Sequence, residues 1–166
     1  MKENARAAGV FLDTSILIGG VIAPPHGNAE ARRILLAPDR WVTAWHCCLE
    51  FYSVLTRLPL GQRVTPSDVL RLMKEYIIGR MEILQLPAAS LGPFAVKAAE
   101  LGMRGGRLYD AHIAEIALVH RVRAVVTENP LDFVLLLQSG IPVLRASEFL
   151  ASRISRQGRP EEGARD

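Results

Sequence analysis

Apolar blocks alternate along the chain with breaks rich in glycine, proline and polar residues, and the period inside each block predicts its element. "VFLDTSIL", from residue 10, is β-branched and apolar enough for a buried strand. "PPHGN" reads as a turn whose Asn28 caps a helix over "AEARRILLA". "RWVTA", residues 40–44, is strand-like, and "WHCCLEFYSVLTRL" predicts a helix, apolar on most of its surface and therefore buried. After the loop "PLGQRVT", Pro66 in a first turn, with Thr65 or Ser67 as cap, opens a helix over "SDVLRLMKEYIIG". "MEILQL" predicts a strand, residues 88–102 a helix, and "MRGGR" a turn. A further helix, "LYDAHIAEIALVHR", is predicted to start near Tyr109 and to carry its apolar stripe at Ile113, Ile116, Ala117 and about His120. "AVVT" then reads as a strand, "ENPLDF" as a loop, "IPVL" as a last short strand and "ASEFLASRI" as a helix. The end, "RQGRPEEGARD", has no apolar anchor and is expected to be disordered.

Strands that alternate with helices predict an α/β fold with a mainly parallel central sheet covered on both faces. In such sheets ligands lie beyond the carboxyl ends of the strands, where the strand order reverses. The polar residues at those ends are therefore the candidates for chemistry.

Composition narrows the class. A chain of 166 residues with 49% apolar and 22% charged residues fills one core, so residues 1–150 are expected to form a single domain and 151–166 a helix end and tail. No apolar run approaches the roughly 20 residues of a membrane span, and "MKENARAAG" lacks the apolar centre of a signal peptide. A cytoplasmic protein with no membrane partner is the expectation. Cys47 and Cys48 are neighbours inside an apolar segment and suit core thiols in a reducing compartment. With His46 they cannot chelate one ion, because consecutive helical residues point about 100° apart. The net charge of +3 rests on arginine, since lysine occurs only at Lys2, Lys74 and Lys97. Guanidinium forks bind phosphate in pairs of hydrogen bonds, which is compatible with a nucleic-acid partner.

Carboxylates interrupt several of the apolar blocks. Asp13 stands in or at the end of the first strand, and Glu50 lies in the helix "WHCCLEFYSVL" with His46, Ser53 and Arg57 as polar neighbours. Asp110 opens its helix, while Thr127, Glu128, Asn129 and Asp132 follow the strand "AVV". Each has a structural reading: Asp13 bonding its own turn, Asp110 a cap or first-turn acid, Glu50 an ion pair with Arg57. The functional reading is one shared cation, because ionised carboxylates in apolar surroundings cost several kcal/mol each unless paired. A hard divalent ion, Mg2+ or Mn2+, suits oxygen ligands without clustered histidine or cysteine, and a phosphate ester is its natural substrate.

Taken together, "FLDTSILIG", "LEFYSVL", "LYDAHIAEIAL" and "VVTENPLDF" resemble the PIN domain, and most closely the VapC-type toxins of bacterial toxin–antitoxin pairs. The likeness runs from about residue 10 to residue 143, with the motifs in family order. It implies a three-layer α/β/α sandwich and an endoribonuclease dependent on Mg2+ or Mn2+, often a homodimer, that cuts RNA and is neutralised by a small antitoxin. By the resemblance Asp13, Glu50 and Asp110 match the three acids, Thr14 or Ser15 the following hydroxyl, and Thr127 the threonine closing the later strand. Asn129 stands where the family frequently has aspartate, and Asp132 is the other candidate for that fourth position. Asp13 and Asp110 would be direct ligands, the second kept ionised by the amino end of its helix. Glu50 would ligate or position water, while Arg107 and Arg57 would contact phosphate or neutralise the acids.

The uncertain fourth acid leaves a second reading, a PIN-fold RNA-binding or assembly module with weak or no catalysis. Other α/β classes fit less well. A haloacid dehalogenase phosphatase needs an acid where Ser15 stands, and a receiver domain needs a lysine near its last strand, whereas no lysine follows Lys97. Neither the glycine pair Gly19 and Gly20 nor Gly105 and Gly106 sits in a phosphate-binding pattern.

Overall fold

The run from Gly9 to Leu12 forms the middle strand of a five-stranded sheet in which every pairing is parallel. The computed structural model describes residues 8–23, 25–59, 61–136 and 139–157. The expected disorder of the tail therefore lies largely outside the described residues, as does most of the amino-terminal segment read for a leader. Within them the strands are β1 (Ala8–Leu12), β2 (Trp41–Ala44), β3 (Glu82–Leu84), β4 (Val122–Val126) and β5 (Val143–Leu144). The helices are α1 (Thr14–Val21), α2 (Ala29–Leu36), α3 (Trp45–Thr56), α4 (Pro66–Tyr76), α5 (Leu91–Glu100), α6 (Gly106–Val119) and α7 (Ala146–Gln157). Short 3-10 turns occupy Ala88–Ser90 and Pro130–Leu136.

Spatial order along the sheet is β3-β2-β1-β4-β5. The chain steps outward from β1 to β3, then returns to place β4 on the other flank of β1. Right-handed crossovers in opposite directions put their helices on opposite faces, giving the three layers α/β/α. The register pairs Phe11 with Val42 on one side and with Val125 on the other. All three are fully buried, as both-face coverage of a parallel strand requires. Gly20 lets α1 and α2 approach, since a Cβ there would collide with Leu35.

Several expectations are met by the caps themselves. The Asn28 side chain accepts from Ala31 N–H at 2.9 Å, and Thr65, rather than Ser67, caps α4 with Pro66 in its first turn. Others are corrected. The apolar block predicts a first strand through Leu17, but the strand stops at Leu12 and α1 begins at Thr14. Asp13 ends it: its main-chain carbonyl accepts from Ile16 and Leu17 N–H, and its carboxylate accepts from Ser15 N–H. Ile16 and Leu17 are buried just as a strand would bury them, which is why an apolar block conceals its period.

α3 buries Cys47, Cys48, Phe51 and Leu55 but exposes Trp45, Leu49 and Tyr52, so the expected all-round burial fails on one face. α6 starts at Gly106, three residues before the expected Tyr109, from a Gly105 whose φ of 57° favours glycine. α7 extends to Gln157, past the expected start of the tail. Among the described residues no helix is long and apolar enough to cross a membrane.

Candidate metal centre

β1 and β4 are the neighbours across which the strand order reverses, and Asp13 and Thr127 are the first residues beyond their carboxyl ends. Asp13 N–H donates to Val126 O at 3.0 Å, and Thr127 N–H to Leu144 O at 3.0 Å, so the sheet's own bonding fixes both backbones. Ser15 Oγ and Thr127 Oγ1 donate to Asp13 Oδ2 at 2.8 and 2.9 Å. Those hydroxyls in turn accept from Glu128 N–H at 3.0 Å and Asn129 N–H at 3.1 Å. Two backbone amides therefore feed two hydroxyls that feed one carboxylate oxygen. Among the described residues Oδ1 accepts none of these bonds. Burial raises the Asp13 pKa above the ordinary carboxylate value, while the Ser15 and Thr127 hydroxyls pull it back.

Glu50 reaches the same place from α3. Thr14 Oγ1 donates to Glu50 Oε2 at 2.6 Å, a link between α1 and α3 across 36 residues. The alternative reading, an ion pair of Glu50 with Arg57, does not form: Arg57 Nε donates to Ser53 O at 3.1 Å, closing the end of its own helix. Nor is Glu50 buried. Burial therefore disfavours the charge of Asp13 and in part that of the half-buried Asp110, a cost that a proton or a cation would remove, and places no such cost on Glu50.

The early start of α6 places Asp110 in the second turn, with no acid in the first. The helix amino end consequently does not hold its carboxylate ionised, and the cap reading falls with it. Burial pushes the Asp110 pKa up to about 6, reinforced by the negative charges of Asp132, Asp13 and Glu50, with His46 acting in the opposite sense. Four acids thus share one field. Asp13, Thr14, Glu50, Asp110, Asn129 and Asp132 line a single cleft of about 210 Å³. Both fourth-position candidates are present, and Asp132 is the one whose charge Asp110 feels most.

A neighbouring cleft of about 270 Å³ shares Asp110 and Asp132 and adds Arg107, Met103 and Leu131. Arg107 makes no hydrogen bond or ion pair among the described residues, which leaves its guanidinium available to an anion. Glu128, by contrast, faces away from the acids. Its carboxylate accepts from Asn28 Nδ2 at 3.1 Å, and its carbonyl accepts from Arg145 at 2.8 Å, tying the β4 loop to α2 and to the start of α7. Burial pushes the Cys47 thiol up to about 12 and that of Cys48 to about 11, so both are neutral core groups.

The donor set fits a hard cation. Every candidate ligand atom is oxygen, and the repulsion that adds to burial in raising the Asp110 pKa is what a divalent ion would relieve. Among the described residues no three His, Cys, Asp or Glu groups converge closely enough to encage a bare ion. Thr14 as the partner of Glu50, and the ring of Tyr109 beside Asp110, escaped sequence reasoning. Their only local signals were adjacency to Asp13 and to Asp110.

The PIN domain family model matches residues 10–133. Ribonuclease VapC40 of Mycobacterium tuberculosis is 33% identical over 122 residues, covering 69% of this chain and 88% of that protein. Ribonuclease VapC27 of the same species is 37% identical over 76 residues, covering 46% and 53%. Among solved structures, VapBC-1 from nontypeable Haemophilus influenzae matches with a TM-score of 0.57 at 19% identity, over 84% of this chain and 98% of that one. The last is a likeness of fold.

Proposed function

The chain belongs to the PIN domain family, and on that premise we propose that it is an endoribonuclease, the toxin of a toxin–antitoxin pair, whose acidic cleft works with Mg2+ or Mn2+. One observation carries the reading: Asp13, Glu50, Asp110 and Asp132, from four separate segments, line one cleft in which Asp110 feels the other three charges. The ribonuclease names of relatives about one-third identical support the same activity.

Asp13 and Asp110 would hold the cation, with Glu50 as a further ligand or as the group that orients water. When bound, the ion supplies positive charge against a phosphate oxygen and lowers the pKa of water at the site. The chain's own contribution is preorganisation. Ser15 and Thr127 clamp one oxygen of Asp13, a residue that lines the cleft. Thr14 fixes the rotamer of the exposed Glu50, which would otherwise sweep freely. Asp132 takes the fourth position, Asn129 contributing an amide beside it, and Arg107 offers a donor fork to a phosphate of the polyanion.

Partners follow from the same reading. An RNA strand enters the cleft, and an antitoxin neutralises the chain by covering it, which the likeness to VapBC-1 supports. Exposed Leu70 and Ile78 on and after α4 offer apolar surface to a homodimer. The single-domain reading of residues 1–150 is supported, among the described residues, by one sheet and one core.

The test is cleavage of RNA by purified protein in Mn2+ or Mg2+, alongside Asp13→Asn and calorimetric metal titration. Loss of both cleavage and metal binding in the variant supports the nuclease. RNA bound but left intact by the wild type in either ion would instead favour a binding or assembly module.

A further inference from the structure

Beside the acids, α3 and α6 carry a pair of rings to which the metal chemistry gives no task. His46 and Tyr109 stack with centroids 5.0 Å apart and planes 11° from parallel. Tyr109 immediately precedes Asp110, and His46 lies one helical turn before Glu50, so the stack stands on the two helices that deliver two of the acids. His46 is also close enough to Asp110 to oppose the rise in its pKa. On the inner side His112 meets His46 edge to face, at 6.3 Å and 87°, and Phe94 meets His112 at 5.7 Å and 63°. These contacts brace the His46 ring from behind.

The stack is not core. Tyr109 is 55% exposed, and Trp45, beside His46, is 53% exposed, although the solvent face of a helix ordinarily carries polar residues. Trp45, His46 and His112 also line an open cleft of about 190 Å³. A braced ring with free surface, set next to carboxylates that would hold the cation facing a phosphate, matches what an unstacked nucleobase needs. Bases splayed out of a single strand stack on tyrosine and histidine, whereas a duplex hides its base faces in its own stack.

We propose, building on the ribonuclease reading, that the Tyr109–His46 stack is the platform on which one unpaired nucleobase next to the scissile phosphate is held. Adjacent residues of α6 then serve both parts of the nucleotide: Asp110 would help to hold the cation that faces the phosphate, and Tyr109 takes the base.

The test uses a short single-stranded RNA carrying 2-aminopurine, titrated into the Asp13→Asn protein, which is expected to bind without cutting. Binding should quench the fluorophore. Adding Tyr109→Ala should abolish the quench and weaken affinity about tenfold or more, the usual scale for losing a base–aromatic stack. Tyr109→Trp should keep both, and binding to a fully paired RNA should not respond to either change. In the cutting protein Tyr109→Ala should raise KM about tenfold with kcat nearly unchanged, as for a contact made equally in ground and transition states. His46→Ala, in which Tyr109 loses its support, should move every readout in the same direction and serves if Tyr109→Ala melts early. Unchanged affinity and quench in both variants, or an equal loss on duplex, would overturn the platform. If the wild type cuts no RNA while the Tyr109-dependent quench persists, the nuclease reading falls and the platform stands. Cutting that is indifferent to Tyr109 leaves the nuclease standing and removes the platform.

Discussion

Thr14 Oγ1 lies 2.6 Å from Glu50 Oε2, so the residue directly after the first acid holds the second. The bond is made by a buried hydroxyl to an exposed carboxylate, and it fixes a side chain that solvent would leave mobile. Thr14→Val removes the donor at nearly constant volume. A hydrogen bond to a charged group contributes about 1.5–3 kcal/mol, and its loss is expected to lower kcat about tenfold or more. Thr14→Ser should recover most of the rate. Single-turnover cleavage by the two variants checks the prediction, and equal rates for Val and wild type would show that Glu50 needs no positioning.

Asp13→Asn should separate stability from function. The folded state disfavours the buried Asp13 charge, so a neutral amide that can still accept from Ser15 and Thr127 relieves that penalty. The metal-free variant is expected to melt at a higher temperature than the wild type at neutral pH, while losing divalent-ion binding and cleavage. Thermal melts with EDTA and calorimetry with Mn2+ read the two effects independently. A lower melting temperature would mean that the carboxylate charge itself holds the β1–β4 junction.

Asp110 makes the metal-free protein pH-sensitive in a definite direction. Its folded pKa, about 6, exceeds the ordinary carboxylate value of 3.8, so folding favours the protonated form. Its stabilising effect is complete below the lower value, declines as pH rises through the window, and is gone above about 6. At about 1.36 kcal/mol for each tenfold change in acidity, and discounted for the half-buried position, the effect amounts to about 1–2 kcal/mol. Melting temperature in EDTA should fall across that window, Mg2+ or Mn2+ should restore it above about pH 6, and Asp110→Asn should flatten the profile. A metal-insensitive melt at neutral pH would argue that no cation relieves these acids.

Asp132 and Asn129 can be ranked by charge. Both line the cleft, but only Asp132 carries a charge, and among the charges acting on Asp110 it is the strongest. Asp132→Asn is expected to weaken divalent binding about tenfold or more, on the scale of losing a supporting group at a metal site. Asn129→Ala should cost less, since it removes an amide and leaves the cleft's charge unchanged. Titration of both variants with Mn2+ decides the order, and a larger effect from Asn129 would reverse it.

The signals that the sequence carried faithfully were local ones. The order of strands and helices, Asn28 and Thr65 as caps and Pro66 in a first turn depend on neighbours within a few residues. So does the position of Asp13 and Thr127 at the ends of apolar strands. The four-motif likeness to the PIN domain singled out Asp13, Glu50 and Asp110 as candidates, because it joined segments that composition alone leaves separate. Tertiary structure decided what depends on distance through space. It ended β1 at Leu12 although "SIL" reads equally well as strand, since an apolar block is buried whichever period it adopts. It began α6 at Gly106 and so took Asp110 away from the helix amino end. It paired Glu50 with Thr14 instead of Arg57, left one face of α3 in solvent, and set Tyr109 against His46. Partners 36 and 63 residues apart in the chain leave no periodic trace in it, because only the packing of α1, α3 and α6 around the β1–β4 junction brings them within a bond or a ring contact of each other.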